Sequence, residues 1–217
     1  MTLQTKELGY WYTNPDDYLF KDISINFEKG NVYAILGQSG SGKTTFLSLL
    51  AGLDTPKEGS ILLNQKVIEK DKLRHYRQSN VSTIFQAYNL IPYMTAIENV
   101  QIALEISGKT LSKESISQLF EKVGISRQLI DKPILKLSGG QQQRVAIVRA
   151  LATNHEVIIA DEPTGNLDEE TTQDIVNIFK DIAHKEDKVV IIVTHERAVA
   201  EQADLVFELK HKVLSQR

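Results

Sequence analysis

The 217-residue sequence predicts an α/β fold with a mostly parallel sheet, interrupted by an all-helical segment. Three observations predict it. The apolar runs at 32–36, 156–160 and 189–193 lack alternation, which fits strands buried on both faces. Stretches of helical periodicity separate these runs. From about Thr95 to Ala152 the helical spacing continues without a strand, so the core is assembled from both ends of the chain around an insertion.

The elements follow in order. Ile23, Ile25 and Phe27 alternate with Ser24 and Asn26, the period of a half-buried strand, and Lys29-Gly30-Asn31 is a turn. The strand at 32–36 runs straight into a glycine-rich loop at 37–42. A helix at 43–50 follows and ends at Gly52. Strands are expected at 61–63 and 81–85, with a short helix before the second. In the middle segment Ile97, Val100 and Leu104 fall at i, i+3 and i+7. Ile116, Leu119, Phe120 and Val123 share a second helical face, and Val145, Val148 and Ala152 a third. Beyond it come a strand at 156–160, a helix at 169–184, a strand at 189–193, a short helix at 196–202 and a strand at 205–209.

Composition removes several classes of function. The 25 Lys and Arg against 28 Asp and Glu leave a net charge of −3, a poor match for sequence-independent binding to nucleic acid. Cys is absent, which excludes disulfides and thiolate metal sites. The longest apolar runs fall far short of the roughly 20 residues of a transmembrane helix. The first ten residues carry Lys6 and Glu7 and have no apolar stretch of the signal-peptide kind. A cytoplasmic protein is the expectation, one still free to work at a membrane by docking.

Gly37-Gln38-Ser39-Gly40-Ser41-Gly42-Lys43-Thr44 matches G-x-x-x-x-G-K-[ST] between a strand and a helix. Its glycines let successive N–H groups turn inward around phosphate oxygens, and the helix start adds a positive dipole end. Lys43 is assigned to the β- and γ-phosphates and the Thr44 hydroxyl to Mg²⁺. Thr45 joins the nucleotide-contacting set. A second apolar strand ends on Asp161-Glu162. The tip of a parallel strand is where such sheets bind ligands, so Asp161 is expected on the metal side and Glu162 beside the γ-phosphate, where it can polarise water.

Leu137-Ser138-Gly139-Gly140-Gln141 opens the third helix of the middle segment. Ser138 can cap that helix, and its glycines expose N–H groups to an anion. Together with the phosphate loop and Asp161-Glu162, this segment resembles the signature of the ATP-binding-cassette (ABC) ATPases. The resemblance spans about Leu3 to Val213. It implies a P-loop NTPase core with a mostly parallel sheet, an N-terminal antiparallel β part and an inserted α-helical subdomain at about 88–150, all one ATP-binding domain over 1–217. It implies an ATPase using ATP and Mg²⁺. Two copies would form a homodimer around two ATP molecules, each site completed by Ser138, Gly139, Gly140 and Gln141 of the other copy. Gln86 resembles the family's glutamine that contacts Mg²⁺ and links to the membrane partner. Asn166-Leu167-Asp168 resembles the loop that communicates across the dimer, and His195 the switch histidine that supports catalysis by Glu162. Tyr12 is the expected adenine-stacking aromatic, with Tyr10 and Trp11 as rivals; alternation puts Tyr10 and Tyr12 on one face.

The stretches 160–168, 138–149 and 85–100 are similar to the subfamily serving macrolide exporters, lipoprotein-releasing systems, antimicrobial-peptide exporters and the cell-division cassette. The implied partner is a separate integral-membrane permease, with the chain peripheral on the cytoplasmic face of the membrane. The implied role is export or mechanical work beyond the membrane. The alternative is an ATP-gated clamp of the cell-division kind that recruits membrane partners; a soluble cassette acting on DNA or ribosomes is a third. Leu90, Ile91, Pro92, Tyr93 and Met94 either border the permease groove or pack inside the chain.

Overall fold

The computed structural model describes residues 2–217; Met1, where the N-terminal stretch begins, lies outside the described residues. In chain order the strands and helices are β1 (Thr2–Tyr10), β2 (Phe20–Glu28), β3 (Asn31–Leu36), α1 (Lys43–Leu50), β4 (Glu58–Leu63), β5 (Lys66–Val67), α2 (Leu73–Ser79) and β6 (Val81–Ile84). The helices α3 (Ala96–Ile106), α4 (Lys113–Lys122), α5 (Arg127–Ile130) and α6 (Gly139–Ala152) come next. The chain closes with β7 (Val157–Asp161), α7 (Glu169–Glu186), β8 (Val189–Thr194), α8 (Arg197–Ala200), β9 (Leu205–Lys210) and β10 (Val213–Gln216).

Two sheets result. The larger has the order β10-β9-β3-β8-β7-β6, and every pair in it is parallel except β10 with β9. The runs that lacked alternation are its centre: all residues of β7 and β8 are buried, as parallel pairing between two covered faces requires. The smaller sheet, β2-β1-β4-β5, is antiparallel throughout. Helix α1 buries Phe46, Leu47, Leu49 and Leu50 in a cluster shared with Leu3, Phe20 and Phe27 of the small sheet and Val157, Val189 and Ile191 of the large one. Thus the helix behind the phosphate loop is held between the two sheets.

The other main cluster lies under the helices. Phe120, Val145, Val148 and Leu151 meet Phe179, Ile175 and Ile182 of α7 there, together with Ile158, Val190 and Ile192 from the large sheet. The helical run between β6 and β7 opens with a capping box, in which the Thr95 hydroxyl accepts from the Glu98 N–H and the Glu98 carboxylate accepts from the Thr95 N–H. Register is the feature that matters for the site. Leu36 sits opposite Thr194, and Asp161 opposite Val193. The C-terminal tips of β3, β8 and β7 are therefore level, and the segments leaving them converge.

Candidate nucleotide site

The loop after β3 has to turn sharply into α1. Gly42, the N-cap of α1, takes φ 100, and an added Cβ there would lie 2.8 Å from Leu19 Cγ. At Gly37 the limit is space: a Cβ would meet Ser41 Oγ at 2.7 Å and the Leu209 carbonyl at 2.9 Å. Only glycine satisfies both positions. A cleft of about 510 Å³ opens in front of the loop. It is lined by Tyr12, Leu19, Ser39, Gly40, Gly42, Lys43, Thr44, Thr45, Gln86, Glu162 and His195. Residues from five separate stretches of sequence are thus brought to one place.

Lys43 is 7 % exposed, and its Nζ donates to the carbonyls of Gly37 (2.9 Å) and Gln38 (3.0 Å) while lying 3.8 Å from Glu162 Oε1. The loop's own oxygens occupy the ammonium. Asp161 ends β7 and is buried, and its Oδ1 has no hydrogen-bond partner. Burial raises its pKa above the usual carboxylate value; the neighbouring Thr44 hydroxyl opposes the shift. A buried carboxylate oxygen without a donor, next to a threonine hydroxyl, is what a hard cation with oxygen ligands would complete. No cluster of three or more His, Cys, Asp or Glu suited to a metal exists among the described residues.

Glu162 leaves the strand with φ 45, and its N–H donates to the Val193 carbonyl at 2.9 Å. This left-handed step turns the carboxylate toward β8. There Oε2 lies 2.8 Å from His195 Nδ1 and 3.3 Å from the His195 N–H. The level tips of β7 and β8 bring together two residues 33 apart in sequence. Sequence reasoning nominated both residues but not their hydrogen bond. Gln86 follows β6, and its Nε2 lies 3.7 Å from the point where a Cβ would stand on Gly165. The loop beyond it is pinned from α6: Arg149 donates to the carbonyls of Tyr88 and Asn89, both at positive φ.

The Ser138 segment stands elsewhere. Ser138 Oγ accepts from the Gln141 N–H at 3.3 Å, and Gln141 Oε1 accepts from the Ser138 N–H at 3.0 Å. That capping box fixes the start of α6 and engages the Gln141 side chain locally. Gly140 is packed so closely on α7 that a Cβ would meet Thr171 Cγ2 at 2.9 Å. None of Ser138, Gly139, Gly140 or Gln141 lines the cleft, and Ser138 and Gly139 are exposed. Asp168 caps α7, accepting from the N–H and hydroxyl of Thr171, both at 2.8 Å.

Among the three aromatic candidates, Tyr12 faces the cleft, 67 % exposed, with its hydroxyl 2.6 Å from Thr45 Oγ1. Tyr10 is buried behind it, and Trp11 turns to Tyr18, ring centroids 5.2 Å apart. A second depression, a groove of about 470 Å³, lies on the far side of the Gln86 loop. Its walls include Val81, Phe85, Ile91, Ile102 and Ile106, with Arg77 and Arg149. Ile91, Pro92 and Tyr93 are exposed, whereas Leu90 and Met94 are half-buried, so the apolar stretch at 90–94 does not pack wholly inside the chain.

Comparison with known proteins identifies the family. The family model described as "ABC transporter" matches residues 20–165. The uncharacterized ABC transporter ATP-binding protein YclH of Bacillus subtilis (strain 168) is 53 % identical, covering 95 % of this chain and 92 % of that protein. The lipoprotein-releasing system ATP-binding protein LolD of Idiomarina loihiensis is 38 % identical, covering 98 % and 96 %. The macrolide export ATP-binding/permease protein MacB of Mannheimia succiniciproducens is also 38 % identical, but the match spans 33 % of its length. Among solved structures, the dimeric bacterial ABC transporter cassette MJ0796 superposes with a TM-score of 0.86 at 32 % identity, covering 99 % of this chain and 98 % of that one. The same cassette in a dimeric post-hydrolysis state bound to ADP and Pi gives 0.86 at 31 %. With relatives aligned over nearly its whole length and this fold, the chain belongs to the ABC transporter family, as an ATP-binding ATPase subunit.

Proposed function

We propose that this chain is the motor half of a membrane transporter. Two copies close head to tail over two ATP molecules and drive a separate integral-membrane permease. One observation carries the reading. Lys43, Thr44, Gln86, Glu162 and His195 share a single cleft, whereas the exposed helix start at Ser138 and Gly139 lies outside it. Its outward N–H groups suit an anion held by another copy. The dimeric solved cassettes support that arrangement.

The chemistry follows from the residues. Lys43 exchanges the carbonyls of Gly37 and Gln38 for phosphate oxygens. N–H groups from 38 to 45 cradle the phosphates, and Tyr12 offers its exposed ring to the base. Thr44, Asp161 and Gln86 hold Mg²⁺, which neutralises phosphate charge when bound. Glu162 orients the attacking water and accepts its proton, while His195 fixes the carboxylate through the 2.8 Å contact. Residues 1–217 act as one ATP-binding domain, with the helical part at about 88–150 moving as a subdomain. The groove beside the Gln86 loop receives the permease, which keeps the chain at the cytoplasmic face of the membrane. No helix among the described residues is long and apolar enough to cross a membrane itself.

The named relatives, a lipoprotein-releasing protein and a macrolide exporter, support export or mechanical work beyond the membrane. The test is light scattering on the Glu162→Gln chain. Dimers should form with ATP and disperse when it is removed. A chain that binds ATP yet stays monomeric at every concentration refutes the shared site.

A further inference from the structure

We infer that Tyr10 is a positioning residue for the nucleotide base: its buried ring sets the attitude of Tyr12, and its hydroxyl ties the pair to Asp54. The inference rests on the reading of Tyr12 as the base platform. Tyr12 is too exposed for core packing to orient it, and two contacts hold it instead. Its hydroxyl meets Thr45 Oγ1 at 2.6 Å, and its ring lies edge-to-face with Tyr10, centroids 5.4 Å apart at 85°. Tyr10 is 6 % exposed and is itself fixed from three sides. Its ring stacks on Phe20 at 6.2 Å, Lys57 Nζ stands 5.7 Å from its centroid, and its hydroxyl donates to Asp54 Oδ2 at 2.7 Å. The hydrogen bond to Asp54 and burial push the Tyr10 pKa up to about 12, so the phenol remains a donor at neutral pH.

The two anchors lie at opposite ends of one helix. Thr45 is in the first turn of α1, and Asp54 lies beyond its last residue, Leu50. The aromatic pair therefore spans the helix whose start carries Lys43 and Thr44. Such a brace keeps the base platform in register with the phosphate loop, because neither can shift without breaking one anchor. Trp11 takes no part, being engaged with Tyr18.

The experiment compares ATP with inorganic tripolyphosphate, which has the phosphates and no base, by calorimetric titration in the same Mg²⁺ buffer. Tyr12→Ala should weaken ATP and leave tripolyphosphate unchanged. Tyr10→Leu should weaken ATP by about three- to tenfold, the scale of an edge-to-face pair, with tripolyphosphate within about twofold. Tyr10→Phe, which keeps the ring and removes only the bond to Asp54, should lose about two- to threefold for ATP alone. Equal losses for both ligands in Tyr10→Leu, or no loss for ATP, overturn the inference. Should Tyr10→Leu fail to melt cooperatively, Tyr10→Phe carries the test. An ATP-selective loss of about two- to threefold, the scale of one hydrogen bond, then supports the inference, and none overturns it. If Tyr12→Ala loses ATP selectively and the Tyr10 variants do not, the base platform stands and the role of Tyr10 falls. If Tyr12→Ala shows no ATP-selective loss, the platform reading falls and takes the brace with it.

Discussion

Asp161→Asn should raise the melting temperature of the nucleotide-free chain while removing its response to ATP. The carboxylate is 8 % exposed, and its Oδ1 has no partner. Burial raises its pKa above that of the unfolded chain, about 3.9. The stabilising contribution of the protonated form is complete below the unfolded pKa and is lost as pH rises through the folded one. At pH 7 the folded chain thus carries a charge that it disfavours. An unsatisfied buried polar atom costs about 1–3 kcal/mol, and asparagine, which keeps a polar atom there, should recover about 1 kcal/mol. For a chain of this length that is about 2–4 °C. The wild-type chain should gain about 2.7 kcal/mol from Mg²⁺ and ATP at a hundred times Kd, about 5–10 °C. Differential scanning fluorimetry at pH 7 reads both shifts. An Asp161→Asn chain that melts lower than wild type without nucleotide, or that keeps the full ATP shift, refutes the reasoning.

Glu162→Gln should bind ATP with near-native affinity and lose about 10²- to 10⁴-fold in turnover, measured by phosphate release; near-native turnover would remove Glu162 from the role of base. Lys43→Ala should weaken ATP binding by more than tenfold, about 1.4 kcal/mol or more, in titrations with a fluorescent ATP analogue. His155 is 4 % exposed, and burial, with Lys109 nearby, lowers its pKa. Stability contributed by its neutral form is complete above the unfolded value of about 6.5 and declines as pH falls toward the folded one. Melting temperatures of the wild-type chain should therefore fall more steeply between pH 7 and 5.5 than those of His155→Gln, and parallel curves would contradict the assignment.

The parts of the fold most legible in sequence were those where one residue type solves one local problem. The loop at 37–44 announces itself because a strand, a glycine-rich turn and a helix start must follow within a few residues. Asp161 is legible because an apolar strand ends on it. Strand β1 is less so. Its alternation breaks at Glu7, where φ is 49 and the pairing register shifts, so polar and apolar positions change phase. The β9–β10 hairpin is hidden for a related reason: its turn residues His211 and Lys212 take φ 51 and 66 without the Asn-Gly signal such turns favour. The Glu162–His195 bond and the link from Tyr10 to Asp54 depend on which strands lie side by side, and no local pattern encodes that.

The charges of the cleft also explain why Asp161 and Lys43 should respond so differently to mutation. Asp161 and Glu162 place two carboxylates against the single ammonium of Lys43, all of them largely withdrawn from water. A bare nucleotide brings further negative charge into that setting, where interactions are stronger than in bulk water. Lys43 can exchange two carbonyl partners for two phosphate oxygens and lose no hydrogen bond. Asp161 Oδ1 has no partner to exchange. A cation arriving with the phosphates would supply the missing partner. Removing the lysine therefore subtracts favourable contacts and a positive charge. Removing the aspartate relieves a standing penalty and deletes the reason for the cation to sit there, so stability and nucleotide response should change in opposite directions.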